Sequence, residues 1–546
     1  MNKLMKRVVS LVLATVMVLT TCVVAFAADK EKAKQTPVIA VHGMMAATIY
    51  NYYGTEDQTE AMTDIDWGLD GADEAVAYVE SLANLAANAV PMADVDYDKV
   101  IDGLACLAKR MRFDCDENGN QKYGAGVDTY DGPISENMDY FESPSLLQDH
   151  STNQFATMKD VGEQIGYENL YQFWYDWRLD ATDNAKELHD YIAMVKEQTG
   201  SDKVILEGES EAGIIFAAYL DMYKDYSDIE RLVALDCAWQ GVTATELYEK
   251  DITTSRSALY TFALGMADGI MSGNLTPVVQ LVEWLLDIPL TSIIDNINDA
   301  AEQEEIVDRL YLEVLKPIIG NWGNMWDFIP YDHFDAATST MADLGYLDTT
   351  SGLYKKICRY HKAQGNLAKN LKALKASGAD VAIFATYGIN AVPLTSGTTD
   401  HSDYLISTKY ESVGATVADY GETLNATGKY VSPDRVIDAS TCALPDNTWF
   451  LKDNVHCNVT ADTELNSLLV DLTVGNVGCN LKSVQKKYGY SQFLIVDTSN
   501  DGLDLVNVTE DTPVDEWVAD PETAYLEMTL TNPLTGEEFT FRVEAV

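Results

Sequence analysis

The chain has 546 residues, of which 47% are hydrophobic and 23% are charged, a composition typical of a globular protein rather than of a disordered, collagenous or coiled-coil one. This length predicts about two to four domains, or one large domain with insertions. Asp and Glu total 86 against 37 Lys and Arg, so the net charge is −49, which disfavours nucleic acid and anionic lipid headgroups as partners and leaves neutral, zwitterionic and cationic ones.

The first segment of the chain predicts export. Three basic residues precede an apolar run over residues 8–27 that ends in Ala25-Phe26-Ala27, a small-x-small cleavage site. We therefore predict a secretory signal peptide at residues 1–27 and an extracellular mature protein, with attachment to the cell surface left open. An uncleaved anchor is the alternative, because the run approaches the length that spans a bilayer.

The spacing of the cysteines does not indicate a disulfide-rich scaffold or a zinc site. An odd number follows the signal, so at least one is unpaired within the chain, and no pair has the close spacing of a zinc site. Two sequence-near pairs are candidate bridges, Cys106 with Cys115 and Cys442 with Cys457.

Short apolar runs alternate with amphipathic segments over residues 28–490, which predicts an α/β fold with a mostly parallel sheet flanked by helices. The predicted strands lie at residues 37–41, 167–177, 203–206, 232–235 and 381–385. The predicted helices lie at residues 72–112 and 184–198 and from the serine at 210 through 223.

Two stretches interrupt this alternation, at residues 44–165 and 242–365. The second carries amphipathic helical sequence and is predicted to form a cap. Over residues 491–546, strand-like runs are separated by Asn, Asp, Gly and Pro, which predicts a small C-terminal β-rich appendage.

The chemical prediction begins at Gly208-Glu209-Ser210-Glu211-Ala212-Gly213. This segment follows a predicted buried strand and precedes an apolar helix, the context in which a tight turn exposes a nucleophilic serine, the nucleophile elbow. Small residues two positions before and after the serine keep the backbone from clashing, and Ala212 in place of the usual second glycine is a mild departure. The structural alternative is a serine that caps the helix. We predict Ser210 as a nucleophile.

A serine nucleophile requires donors for the developing oxyanion. The backbone N–H of Glu211, at the start of the following helix, is one predicted donor. The N–H of Met44 is the other, because His42-Gly43-Met44-Met45 follows the first predicted strand and its glycine lets the backbone turn toward the site.

The base and the acid follow from chain order, which in proteins with this turn is serine, acid, histidine. Among the histidines downstream of Ser210, His456 is favoured, because the others lie in the inserted region or precede the preferred acids. Asp434, in the turn Ser432-Pro433-Asp434-Arg435, is the favoured acid and Asp438 the alternate. An aspartate in a turn also serves as a plain Asx cap.

These residues resemble the lecithin:cholesterol acyltransferase-like, or lipase, branch of the α/β-hydrolases. The segments that carry the resemblance are Tyr175-Asp176-Trp177-Arg178, Leu235-Asp236-Cys237-Ala238-Trp239-Gln240-Gly241, Tyr387-Gly388 with Val392-Pro393-Leu394-Thr395, and Asp434-Arg435-Val436-Ile437. The chain departs from that pattern in the glutamates on both sides of Ser210. A charge on Glu211 is expected to raise the pKa of His456 and to disfavour anionic substrates.

The resemblance implies an α/β-hydrolase fold and an exported serine hydrolase that cleaves or transfers acyl groups of lipid-like esters, without cofactor or metal. It implies at most transient contact with a lipid surface and no nucleic-acid partner; the oligomeric state is not indicated. Two alternatives stay open: a catalytically inactive hydrolase fold used for binding at the cell surface, and a peptidase or amidase.

Other candidate sites are explained better by structure than by ligands. Asp114-Cys115-Asp116-Glu117-Asn118-Gly119-Asn120 begins like a calcium loop, but Ala125 stands at the twelfth position, which excludes an EF-hand and favours an Asn-Gly turn between short strands. Acid-rich polar turns explain His333 with its neighbours, and His401 with Asp403. Four tryptophans line either an apolar cleft or the core, namely Trp174, Trp177, Trp322 and Trp326.

Overall fold

The computed structural model describes residues 35–66, 97–138, 153–250, 304–391, 400–497, 504–512, 525–531 and 538–544. The predicted signal peptide, and the parts of the predicted helix and cap at residues 67–96 and 251–303, lie outside these ranges. In the described part of the chain, no helix is both long and apolar enough to cross a bilayer.

One eight-stranded sheet organises the fold. Its strands, in chain order, are β1 (Val38–Val41), β2 (Leu170–Phe173), β3 (Val204–Glu209), β4 (Ile229–Leu235), β5 (Asp380–Tyr387), β6 (Thr448–Lys452), β7 (Phe493–Asp497) and β8 (Asp504–Asn507). They lie in the order β8-β7-β6-β5-β4-β3-β1-β2. All neighbours are parallel except β7 and β8, so the predicted α/β architecture with a mostly parallel sheet is confirmed.

Helices cover both faces of this sheet. In chain order they are α1 (Tyr97–Ala108), α2 (Asn153–Ile165), α3 (Ala181–Thr199), α4 (Ala212–Met222), α5 (Glu304–Arg309), α6 (Lys316–Ile319), α7 (Gly323–Asp327), α8 (Phe334–Asp343), α9 (Gly352–Ala376), α10 (Thr408–Glu411), α11 (Glu464–Thr473) and α12 (Leu481–Tyr488). A π-helical turn, Leu310–Leu315, joins α5 to α6.

Alternation along the central strands places the core on two sides. In β4, Leu232 and Ala234 pack into a core with α3, α4 and α9, whereas Val233 and Leu235 pack on the opposite side against α11 and α12. Because both faces are buried, residues 232–235 of this strand are all apolar rather than alternating with polar residues. The apolar runs that predicted the strands are therefore a direct consequence of helices on both sides.

Shorter strands pair outside the main sheet. They are Ile49–Asn51 with Thr59–Glu60 and Gly126–Val127, Ile389–Asn390 with His401–Ser402, Thr416–Val417 with Ile437–Asp438, and Tyr525–Thr531 with Glu538–Glu544.

The predicted boundary at residue 491 differs from the structure. β7 pairs in parallel with β6, and β8 adds to β7 in antiparallel register, so both strands belong to the main sheet rather than to a separate appendage. β8 forms the edge of the sheet, and β7 lies between it and β6.

The four tryptophans that could line a cleft or the core differ in burial. Trp177, Trp322 and Trp326 are buried, whereas Trp174 is half-buried. Trp177 and Trp322 pack edge to face at 5.4 Å. The seven cysteines in the described residues are all free, so neither candidate bridge is formed.

Candidate active site

The site lies at the carboxyl edge of the parallel strands, where the loops after several strands converge. His42 follows β1, Ser210 follows β3 and Asp236 follows β4, while His456 lies in the loop after β6. Parallel pairing from β1 to β6 brings these strand ends to one edge although they are far apart in sequence.

Ser210 occupies a tight turn between β3 and α4, as the sequence context predicted. Its φ of 54° lies in the left-handed region that non-glycine residues rarely adopt. A Cβ at position 208 would lie 2.6 Å from Phe216 and 2.8 Å from the Cβ of Ala212. Gly208 is therefore required by contact with the helix, and the methyl of Ala212 fits because position 208 has no side chain.

Ser210 and His456 are brought together, and Asp403 completes a hydrogen-bonded chain with them. The hydroxyl of Ser210 lies 2.9 Å from Nε2 of His456. Nδ1 of His456 donates to Oδ2 of Asp403, and the backbone N–H of His456 donates to the Asp403 carbonyl at 3.0 Å. In this geometry the imidazole can accept the serine proton, since a buried carboxylate holds its other nitrogen as the donor.

The acid predicted from sequence, Asp434, lies elsewhere. Its Oδ2 accepts a 3.0 Å hydrogen bond from the hydroxyl of Tyr387 and lies 3.6 Å from Nζ of Lys452. Its Oδ1 accepts from Ser432 and from the N–H of Val436. Asp434 therefore stabilises a buried turn and a buried lysine, and the structure places Asp403 rather than Asp434 against His456.

The alternate acid, Asp438, is also an ordinary cap. Its side chain accepts from the N–H of Ser440 at 2.9 Å at the start of a short 3-10 helix. It makes no contact with His456 among the hydrogen bonds of the described residues.

The position of Asp403 in the chain is a sequence signal for the acid, although the same residues are also typical of a polar turn. Asp403 lies after β5 and before His456, which satisfies the serine, acid, histidine order. It directly follows the short strand His401–Ser402, and its Oδ1 accepts from the N–H groups of Leu405 and Ile406 at 2.8 and 2.7 Å. These bonds fix the carboxylate so that Oδ2 faces the histidine.

The predicted oxyanion loop lies directly on the serine. A Cβ at Gly43 would be 2.8 Å from the Cβ of Ser210 and 3.3 Å from its hydroxyl, so only glycine allows this approach. Met44 follows in the chain, and Glu211 caps α4, where the first backbone N–H groups have no partner inside the helix. The segments that carry the two predicted donors therefore meet at Ser210.

The Tyr175-Asp176-Trp177-Arg178 segment anchors this loop. The Tyr175 hydroxyl donates to the His42 carbonyl at 2.6 Å, and the Trp177 indole donates to the Ala47 carbonyl at 3.0 Å. Arg178 and Asp176 form a buried two-point ion pair at 3.0 and 2.8 Å, while Arg178 also donates to the Phe113 carbonyl. The segment therefore holds the loop on which Met44 is carried.

The side chain of Glu211 is buried and hydrogen-bonded rather than exposed as a free charge beside Ser210. Its Oε1 accepts from Asn324 at 3.2 Å, and its Oε2 lies 3.4 Å from the hydroxyl oxygen of Tyr175, whose proton is donated to His42. Burial raises its pKa well above the usual value, which favours the neutral form of the side chain. This direction runs against the expectation that a charge on Glu211 raises the pKa of His456.

Three other carboxyl groups raise the pKa of His456. Burial lowers the pKa of His456, but Asp403, Asp236 and Glu209 outweigh it and raise the pKa to about 9. Asp236, which was quoted from the sequence only for the resemblance, is fully buried and accepts from the Thr386 hydroxyl and the Cys457 N–H, each at 2.9 Å. The histidine therefore lies in a strongly anionic environment.

Two groups of potential metal ligands overlap this site. They are Asp236 with His456 and Cys457, and Asp403 with Glu411 and His456, with the ligand atoms of each group within 4.8 Å of one another. Both groups use His456, whose two nitrogens are already bonded to Ser210 and Asp403. A metal ion in either position would therefore compete with the serine–histidine–aspartate chain.

The proposed calcium loop is a closed turn. Oδ1 of Asp116 accepts from the N–H groups of Asn118 and Asn120 at 2.8 Å, and Cys115 pairs with Gln121 in an antiparallel bridge. Lys122 forms an ion pair with Asp114. This is the Asn-Gly turn that the sequence favoured, although a single antiparallel bridge rather than two short strands flanks it.

Comparison with known proteins gives little. No protein-family model matches the chain, and no curated protein matches it. Among solved structures, a chain in the crystal structure of the Tle4–Tli4 complex is similar, with 11% identity over 81% of this chain and 98% of that chain and a TM-score of 0.31. A likeness this distant does not assign the chain to a family.

Proposed function

We propose that this protein is a serine hydrolase of the α/β-hydrolase fold that cleaves or transfers acyl groups of carboxylic esters through an acyl-enzyme on Ser210. The observation that carries the proposal is the hydrogen-bonded chain from Ser210 through His456 to Asp403 at the carboxyl edge of the sheet. The left-handed turn at Ser210 supports it further, because backbone strain of this kind is characteristic of functional sites.

In the proposed reaction, Nε2 of His456 accepts the hydroxyl proton while Oγ of Ser210 attacks the ester carbonyl carbon. The tetrahedral intermediate collapses as its carbon–oxygen bond to the alcohol breaks, and the imidazolium returns the proton to the departing oxygen. Water, or a second alcohol, repeats the same steps on the acyl-enzyme. Asp403 stabilises the imidazolium in both halves.

Negative charge on the carbonyl oxygen is stabilised by the backbone N–H groups of Met44 and Glu211 in this proposal. Both segments contact the serine turn, and α4 directs its positive N-terminal end toward it. Donors fixed by the backbone need no rearrangement when the charge develops, so they favour the transition state over the bound ester.

Half-buried apolar side chains favour a lipid-like acyl group. Met44 and Met45 follow Gly43, the residue that contacts Ser210, and Trp174 packs 5.1 Å from the His42 ring. The second insertion reaches the same place, because Asn324 contacts Glu211 beside the nucleophile. We propose that this insertion acts as the cap of the acyl site. The resemblance of residues 175–178 supports the lecithin:cholesterol acyltransferase-like branch, and the N-terminal segment supports export.

A fluorophosphonate probe tests the proposal directly. We expect robust labelling of the wild-type protein, none of Ser210→Ala, and unchanged labelling of Ser432→Ala, a buried serine bonded to Asp434 and remote from His456. Absence of labelling in a folded wild-type protein would overturn the proposal and favour a binding protein with a hydrolase fold.

Substrate class is tested with p-nitrophenyl esters of graded acyl length and the matching anilides. A kcat/KM that rises with acyl length supports a lipid-like ester. Faster cleavage of the anilides would identify an amidase instead. Adding a long-chain alcohol to the ester reaction separates transfer from hydrolysis, since transfer produces a new ester.

A further inference from the structure

A second carboxyl group lies behind the acid of the site. Glu411, at the end of α10, is fully buried, as is Asp403. Side-chain oxygens of these two residues and a nitrogen of His456 lie within 4.8 Å of one another. Two ionised carboxylates side by side in a water-free position would repel strongly, so one of them must carry a proton.

The hydrogen bonds decide which of the two is protonated. Asp403 accepts from two backbone N–H groups and from His456. Glu411 has one such donor, the N–H of Thr386, which bonds to Oε2 at 2.6 Å. Its other oxygen, Oε1, is buried and receives no hydrogen bond. Since the group with more donors is better stabilised as an anion, the proton resides on Glu411.

With its proton on Oε1, Glu411 becomes a donor. The acceptor within reach is the Asp403 carboxylate, since a side-chain oxygen of Asp403 and one of Glu411 lie within 4.8 Å of each other. Burial raises the pKa of Glu411 well above its usual value, and burial likewise opposes ionisation of Asp403, but His456, Glu411 and the backbone of Ile406 lower the Asp403 pKa. The direction of both pKa shifts agrees with a neutral Glu411 next to an ionised Asp403.

We infer that Glu411 is a positioning residue for the triad, a neutral carboxylic acid whose O–H bonds to Asp403 and fixes that carboxylate toward Nδ1 of His456. This inference rests on the proposed function. It adds to the triad a donor without charge, which a glutamate supplies only where burial keeps it protonated.

Thr386 explains how Glu411 is held. Its backbone N–H bonds to Glu411, its hydroxyl donates to Asp236, and its carbonyl accepts from the Thr408 hydroxyl at 2.6 Å. The end of β5 therefore bonds to both Glu411 and Asp236. Besides Asp403 and Glu411, the titratable groups that face His456 are Asp236 after β4, Glu209 at the end of β3, and the adjacent Cys457.

Two substitutions of Glu411 distinguish three roles for its side chain: a neutral hydrogen-bond donor, an ionised carboxylate, or a group that only fills space. Glu411→Gln keeps both bonds, because its amide donates to Asp403 and its carbonyl accepts from Thr386. We expect kcat within about 3-fold of wild type and an unshifted pH profile of kcat/KM. Glu411→Met keeps the approximate volume but not the donor. We expect kcat to fall at least about 10-fold, because Asp403 loses the bond that orients it.

The outcomes that overturn the inference are specific. A Gln profile displaced by a unit or more to lower pH would show that wild-type Glu411 is ionised, and a Met variant with wild-type kcat would show that no positioning is needed. If the Met variant does not fold, the Gln profile decides alone. Glu207→Gln is the matched control, since Glu207 is a buried carboxyl bonded to Gln154 and its replacement should leave the profile unchanged.

A spectroscopic readout separates this inference from the proposed function. The Nδ1 proton of His456 in its bond to Asp403 should give a low-field proton resonance in the inactive Ser210→Ala protein. We expect Glu411→Gln to preserve that resonance in the same background and Glu411→Met to shift or broaden it. Failed probe labelling with this pattern intact would count against the hydrolase, whereas a resonance indifferent to Glu411→Met would count against the positioning role.

Discussion

The hydroxyl of Tyr175 donates a 2.6 Å hydrogen bond to the carbonyl of His42, and the two rings stack at 4.1 Å. This pair joins the segment after β2 to the loop after β1, which places Gly43 on Ser210. The position of the proposed oxyanion donor at Met44 therefore depends on a contact outside the serine–histidine–aspartate chain.

Removing that hydroxyl tests the dependence. Tyr175→Phe keeps the stacked ring but leaves the buried His42 carbonyl without its donor, which costs about 1–3 kcal/mol. We expect kcat on a p-nitrophenyl ester to fall about 10-fold with little change in KM, because the oxyanion donors act mainly in the transition state. Tyr171→Phe, whose hydroxyl contacts Gln198 at 3.5 Å, is the control and should keep wild-type kcat.

The identity of the acid is tested by two matched amides. Asp403→Asn removes the charge that pairs with the imidazolium and favours the wrong histidine tautomer, so we expect kcat to fall by about 10³–10⁴. Asp434→Asn should keep kcat within a few-fold while it lowers the melting temperature, because Asp434 neutralises the buried Lys452. Steady-state kinetics and thermal unfolding measure both. The reverse order of effects on kcat would restore Asp434 as the acid.

The pH dependence of activity follows from His456. Its pKa is raised to about 9, so below that pH the imidazole is charged and cannot accept the serine proton. We expect kcat/KM to rise with pH through about 9. Glu209→Gln removes one carboxyl that favours the charged form, so its profile should move to lower pH. A profile that levels off near pH 6 in the wild type would contradict the anionic environment described for the ring.

Whereas activity is expected to rise with pH, the free energy of unfolding is expected to fall. Burial raises the pKa of Glu207 to about 8 and those of Glu209 and Asp236 to about 7, whereas in the unfolded chain such groups lose their protons near pH 4. Between about pH 5 and 8 the folded state therefore binds more protons, and the free energy of unfolding falls as pH rises. His456 acts with the same sign, since its stabilisation is present below about pH 6.5 and is lost through about 9.

Thermal unfolding across this range is the measurement. We expect the melting temperature to decline from pH 5.5 to 8.5, and Glu207→Gln to reduce the slope by up to about 1.4 kcal/mol per pH unit. The pKa of Asp403 is lowered, so its contribution to the free energy of unfolding is fully present above about pH 4 and stays constant across this range. A melting temperature that increases with pH would refute the assignment of neutral buried carboxyls.

Local sequence was sufficient to predict the first five strands of the sheet and the serine turn, and chain order was sufficient to select His456. Apolar runs identify strands buried on both faces, and a left-handed turn between strand and helix restricts position 208 to glycine. The acid was not predictable in this way, because Asp403, Asp434 and Asp438 all accept from backbone N–H groups a few residues ahead. Their sequence signatures are equivalent, and only tertiary contact with His456 distinguishes them.

The last two strands of the main sheet also show that local sequence does not predict tertiary contacts. Phe493–Asp497 is predictable as a strand, but its membership of the main sheet depends on pairing with β6. Strand propensity does not encode a partner, so the boundary at residue 491 separated elements that belong together.

The chain positions of the three groups also bear on biosynthesis. Ser210 and its turn are made early, Asp403 much later, and the imidazole only after the first six strands of the sheet have been translated. A nascent or prematurely terminated polypeptide that stops before residue 456 contains Ser210 but lacks the imidazole bonded to it. In the proposed hydrolase, such incomplete chains are expected to have no esterase activity in the cell that synthesises them.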